Sequence, residues 1–176
     1  MTGKHCHVSD IERMDSKIEK VLWSVAIPGL GQLLNGKFLK GLLFVALEFW
    51  ININAHLNEI IVLSFQGDIM DSVEAANFQW LMFYPCIYMF AMWDAFRDAG
   101  GGHGAPLSYL PFIFPAFFGT IGVIYSPKLT VAGFLIGPIW LPMILAFVGM
   151  GIGLVVKRML SHRLVNNRKN VEHGFF

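Results

Sequence analysis

Charge thins to 11 of the 136 residues between 21 and 156, against 14 of the 40 in the two tails, and no other feature of this 176-residue chain constrains its fold as strongly. Acids and bases gather in residues 1–20 and 157–176, and nearly everything between is apolar. A soluble domain of this size would carry about 25% charged residues. This chain has 14%, with 55% hydrophobic residues and a mean hydropathy of +0.57. The pattern predicts an all-α, polytopic helical membrane domain over 21–156. A cytoplasmic amphipathic tail at 1–20 and a basic cytoplasmic tail at 157–176 flank it. No small-x-small cleavage site follows the first apolar run, so a cleavable signal peptide is not expected. Nor is a disulfide between Cys6, in the polar tail, and Cys86, in an apolar run.

Five apolar blocks can be read: Val21–Leu34, Phe38–Phe65, Phe78–Phe96, Leu107–Tyr125 and Leu129–Val156. A spanning helix needs about 20 residues. The last four blocks meet that length. The first has 14 residues and contains Pro28, Gly29 and Gly31, which weaken a helix interior. Asn35-Gly36-Lys37 and Ser126-Pro127-Lys128 are short turns, and Ala99–Pro106 is glycine-rich. The loop Gln66–Gln79 holds Asp68, Asp71 and Glu74 but no base.

The basic residues discriminate between topologies, because Lys and Arg favour the cytoplasmic side of short loops. Five crossings with an inner N-terminus leave five bases inside and eight outside. If the first block dips in and returns, four spans remain with both tails cytoplasmic. Twelve of the 13 bases then lie inside, and only Lys128 lies outside. The first block therefore reads as a re-entrant or short fifth apolar helix, packed against the spans because lipid cannot satisfy irregular backbone.

The run "PGLGQLLNGKFLKG", Pro28 to Gly41, resembles the glycine-rich hairpin of TM2-domain-like small membrane proteins. Its motif residues are Pro28, Gly29, Gly31, Gln32, Asn35 and Gly36. In that family a later apolar segment often ends in aspartate, and "YMFAMWDAFRDAG" places Asp94 there. The two features cover residues 21–98, and the whole chain also looks like small multi-pass proteins of Gram-positive bacteria. The resemblance implies a membrane protein without catalysis. It also implies that the segments flanking the hairpin both span, in contrast to the charge count.

Three further groups of residues are candidates for function. Glu48, Asn52, His56 and Glu59 fall within about 80° of one another if 38–65 is one helix, at about 100° per residue. An intramembrane carboxylate such as Glu48 must be neutral, paired or wet. The stripe reads as a proton or cation path, a ligand pocket, or interhelical hydrogen bonding. Asp94, Arg97 and Asp98 read as a span-end anchor, or as a docking site for a partner or for the dip. Gly133-x-x-x-Gly137 and Gly149-x-x-x-Gly153, with Pro111, Pro115, Pro138 and Pro142, suit close helix packing, within the chain or between chains. His5-Cys6-His7 has soft ligands but too few for a metal site, so no metal or cofactor is expected. No nucleophile motif, phosphate loop or dinucleotide fingerprint is present.

These features point to a non-enzymatic integral protein of the cell membrane. Its partners would be the lipid bilayer, a second copy or another membrane protein, and not nucleic acid. The expected role is an accessory or scaffolding subunit. The alternative is a channel or transporter component that uses the polar stripe.

Overall fold

The computed structural model describes residues 18–102 and 106–173. His5-Cys6-His7, most of the N-terminal tail and His103 lie outside the described residues. The described chain is mostly helical. Residues 18–26 form α1, followed by α2 (Leu30–Leu34), α3 (Phe38–Ala55), α4 (Leu57–Gln66) and α5 (Ile69–Ala75). Next come α6 (Phe78–Leu81), α7 (Tyr84–Asp98) and α8 (Leu110–Tyr125). The strands β1 (Thr130–Val131) and β2 (Phe134–Leu135) precede the long α9 (Gly137–His173).

Among the described residues, two helices are long and apolar enough to cross a membrane, α3 and residues 137–164 of α9. Only 22% of either apolar window is buried, so neither is the enclosed core helix of a soluble protein. Leu39 is 85% exposed and Phe38 72%. Apolar exposure on this scale marks a surface meant for contact with something other than water. The helices in the other two expected spans are shorter, 15 residues in α7 and 16 in α8, each with proline in its first turn. Pro85 opens α7 and Pro111 opens α8, where each lacks only an N–H that a first turn leaves unpaired anyway.

The expected single helix over 38–65 is two helices. His56 adopts left-handed backbone (φ 57°) and ends α3, a conformation in which His is enriched among non-glycine residues. The break is held from outside. Asn77 N–H donates to Ala55 O at 3.4 Å, and His56 Nδ1 lies 3.0 Å from Ala75 O. The main hydrophobic core gathers around this elbow from Ile51, Ala55, Leu57, Ile60, Leu81 and Val123. Below it, α5 folds back on α4. The Ser64 and Ser72 hydroxyls are 2.8 Å apart, and Ser72 also donates to Ile60 O. Trp140 Nε1 donates to Ser64 O at 3.2 Å, which ties α9 to this cap.

The block expected as one helix over 129–156 begins instead as a two-stranded antiparallel hairpin. Thr130 pairs with Leu135 and Val131 with Phe134. Ala132 and Gly133 both take positive φ, 52° and 85°, as the tightest hairpin turns require. Gly133 is therefore a turn residue with open space around it, not half of a helix-packing face. Gly137 also has positive φ and sits against Ile69 at the start of α9. The second glycine pair does pack helices. A Cβ on Gly149 would lie 2.7 Å from Phe114 O, and one on Gly153 2.7 Å from Leu110 O. Gly122 of α8 meets Pro142 of α9 in the same way, at 2.5 Å from its Cα. These contacts make α8 and α9 the most extensive helix pair. The helix then continues through Lys157, Arg158 and Arg163 without a break.

Candidate functional site

The strongest concentration of polar chemistry lies where α2 and α3 meet the end of α7. The sequence places glycine at each point where the chain must come close. The φ of Gly29 is 107°, open to glycine at no steric penalty, and a Cβ there would sit 2.5 Å from Gly41 O. A Cβ on Gly31 would strike Lys20 O, Ser24 Oγ and the Ala95 Cβ. The backbone thus climbs through α1, turns at Pro28-Gly29 and returns beside itself. Gly31 lies against Lys20 on one side and Ala95 of α7 on the other.

Asn35-Gly36-Lys37 closes α2 by a defined device. Lys37 N–H donates to Gln32 O and Gly36 N–H to Leu33 O, both at 2.9 Å, with Gly36 at φ 72°. This is the Schellman arrangement, which occupies carbonyls that a helix end would otherwise leave unpaired. The "NG" of the motif is a helix stop that turns the chain into α3.

Two side chains of the hairpin then reach α7. Gln32 is fully buried. Its Nε2 donates to Ala91 O at 2.7 Å and to Asp94 Oδ2 at 3.3 Å. Asn35 Nδ2 donates to Ala95 O at 2.9 Å. Lys40, one turn into α3, donates to Asp94 Oδ1 at 3.0 Å and to Asp98 Oδ2 at 3.0 Å. The Asp94 side chain is 5% exposed and that of Lys40 44%, so the lysine brings a solvated cation to a buried carboxylate. Arg97 is more distant, 3.8 Å from Asp94, and its guanidinium lies over the Trp93 ring at 4.7 Å. Ser24 Oγ and Gln32 Oε1 are buried without a hydrogen-bond partner among the described residues.

Hairpin residues Gln32 and Asn35 and span-end residues Asp94 and Asp98 thus come together as one network. Lys40 is the member that sequence reasoning missed, since it entered only as a base to be assigned to one side of the membrane. A basic residue four positions past a helix-stopping Asn-Gly, on the first turn of the next helix, is the signal available.

The stripe does not assemble in this way. Glu48 is half-buried and accepts from Tyr84 OH at 3.1 Å. Asn52 Nδ2 donates to Asn58 Oδ1 at 3.4 Å, His56 turns to Ala75 O, and Glu59 is exposed in the first turn of α4. The left-handed residue at 56 interrupts the single helix that would have aligned the four side chains on one face. Tyr84 and Tyr88, with ring centroids 5.4 Å apart, are two more residues that the sequence did not flag. Tyr88 OH donates to Val25 O of α1, next to the Glu48–Tyr84 bond. The chain has no match among protein-family models, curated proteins or solved structures.

Proposed function

We propose that the protein is a non-enzymatic, multi-pass membrane protein of the TM2-like kind that serves as an accessory or scaffolding subunit, binding a second copy or another membrane protein. In this reading both tails are cytoplasmic. The four spans are α3 with α4, α6 with α7, α8, and α9, and the α1–α2 hairpin is re-entrant. The distribution of bases supports this topology, as does the reversal of the chain at Pro28-Gly29. The role rests on one observation: the buried carboxylate of Asp94 is answered inside the fold, by Gln32 and Lys40. Its chemistry fixes the position of a hairpin.

Extraction of native membranes in mild detergent tests the role. A stoichiometric second copy or second membrane polypeptide is expected, and a clean monomer would overturn the proposal. So would proton or cation flux in liposomes that is lost in Glu48→Gln, which would establish the channel alternative. Topology has its own test. With Cys6 and Cys86 replaced by serine, Lys37→Cys is expected to resist an impermeant maleimide in intact cells and to react after permeabilisation. A cysteine in the loop at 66–79 serves as the outer control. Labelling of Lys37→Cys in intact cells would show that α1–α2 crosses the membrane.

A further inference from the structure

A groove of about 730 Å³ runs between α7 and α8 on the outer face of the molecule. Phe90 and Ile113 form part of its walls, with Cys86 and Thr120 towards one end and Trp93 and Tyr109 towards the other. The Cys86 end is chemically closed. Thr120 gives its hydroxyl proton to Ala116 O at 2.9 Å, so the Cys86 thiol, 3.4 Å away, can donate to Thr120 Oγ1. No polar atom there needs a ligand. The Trp93 end is different, because the Arg97 guanidinium lies over the Trp93 ring and is 53% exposed. The carboxylates near it are engaged elsewhere. Asp94 and Asp98 each hold Lys40 at 3.0 Å, while Arg97 stands 3.8 Å from Asp94.

The groove is therefore apolar along its length, with a cation at one mouth. From Cys86 to Trp93 it extends about 10 Å along α7, at about 1.5 Å per residue. An occupant that matches needs a slender apolar part and an anion at one end. We propose that the groove holds an acyl chain of an anionic phospholipid whose phosphate rests against Arg97. This rests on the membrane reading above. A helix from a second copy would fill the apolar walls but would leave the guanidinium without an anion.

Cys86 is a native reporter of occupancy. The test uses the full chain with Cys6→Ser, purified in detergent. It measures the rate at which an apolar maleimide alkylates Cys86 as phosphatidylglycerol or phosphatidylcholine is added. Phosphatidylglycerol is expected to protect Cys86 at concentrations about fivefold lower than phosphatidylcholine, the factor that one basic side chain contributes near an anionic surface. Arg97→Gln should abolish that preference and leave the apolar protection. Ala116→Phe, which fills the groove, should make the rate insensitive to either lipid. Ile113→Trp offers the same block from a more exposed position should Ala116→Phe fail to fold. Equal protection by both lipids, unchanged in Arg97→Gln, would overturn the proposal. A Cys86–Cys86 disulfide between copies with no effect of lipid would also overturn it, and would identify the groove as a copy-to-copy interface. Carbonate extraction of the source membranes tests the membrane reading separately.

Discussion

Replacing Gly149 and Gly153 together by leucine should break the α8–α9 pair and leave a protein that unfolds at a far lower temperature, or does not accumulate at all. At each position a Cβ would meet backbone of α8, Phe114 O and Leu110 O, both at 2.7 Å. Backbone cannot rotate out of the way as a side-chain tip can. Overpacking costs about 1–3 kcal/mol at each site, occasionally more. Two such sites remove a large share of a total stability of about 5–15 kcal/mol. Thermal unfolding in detergent is the measurement, and the same helix supplies its control. Gly151 has open space where its Cβ would be, so Gly151→Leu should stay within about 0.5 kcal/mol of the parent. The double variant also separates two uses of small residues. If Gly149 and Gly153 served an interface between chains, the monomer would keep its stability and lose only its partner.

The second large effect is expected at Asp94. Asp94→Leu removes one of the two carboxylates that hold Lys40, leaving it with Asp98, and one acceptor of the buried Gln32, leaving that amide with Ala91 O alone. A buried group deprived of its partner costs about 1–3 kcal/mol. Lys40→Met is expected to cost a similar amount for the opposite reason, because it leaves a buried carboxylate with Arg97 as the nearest cation at 3.8 Å. The combination Asp94→Leu with Lys40→Met should recover part of the loss, since neither an unpaired buried carboxylate nor a lysine deprived of Asp94 then remains. Hydrogen exchange should locate the damage. In the single variants, protection should fall over residues 20–34 and stay near that of the parent in α8 and α9. Simple additivity of the two substitutions would show that Lys40 and Asp94 act independently.

How much of the fold is legible in the sequence depends on the distance over which its signals act. Local devices are readable. Pro28-Gly29 and Asn35-Gly36 mark two reversals because each meets a local backbone requirement, and the glycines at 149 and 153 share a helical face by spacing alone. Other features depend on tertiary context. Val131-Ala132-Gly133-Phe134 has no strong turn pair, and hydropathy does not distinguish an apolar hairpin from the first turns of an apolar helix. Gly133 and Gly137 stand four apart by position, yet no helix joins them. Nothing local in "NAHLNE" requires a left-handed residue at His56. The bonds that hold it there come from Ala75 and Asn77, about twenty residues on. The Lys40–Asp94 pair spans a still longer gap. Each residue is visible alone, but their meeting arises from packing that no window of sequence contains.

The unbroken course of α9 has a mechanical consequence. Its 37 residues make a rod about 55 Å long at about 1.5 Å per residue. If α9 crosses a bilayer, the hydrocarbon layer would take up about 30 Å of that. The remaining length would be a lever arm. Because glycine contacts clamp the inner part of the rod to α8, the two helices would tilt as one body. A tilt of about 10° would carry the free end sideways by roughly 4 Å, from the same helical rise. Small adjustments among helices in the bilayer would then emerge as displacement of the distal tip. A binding event there would report on how α8 and α9 are seated.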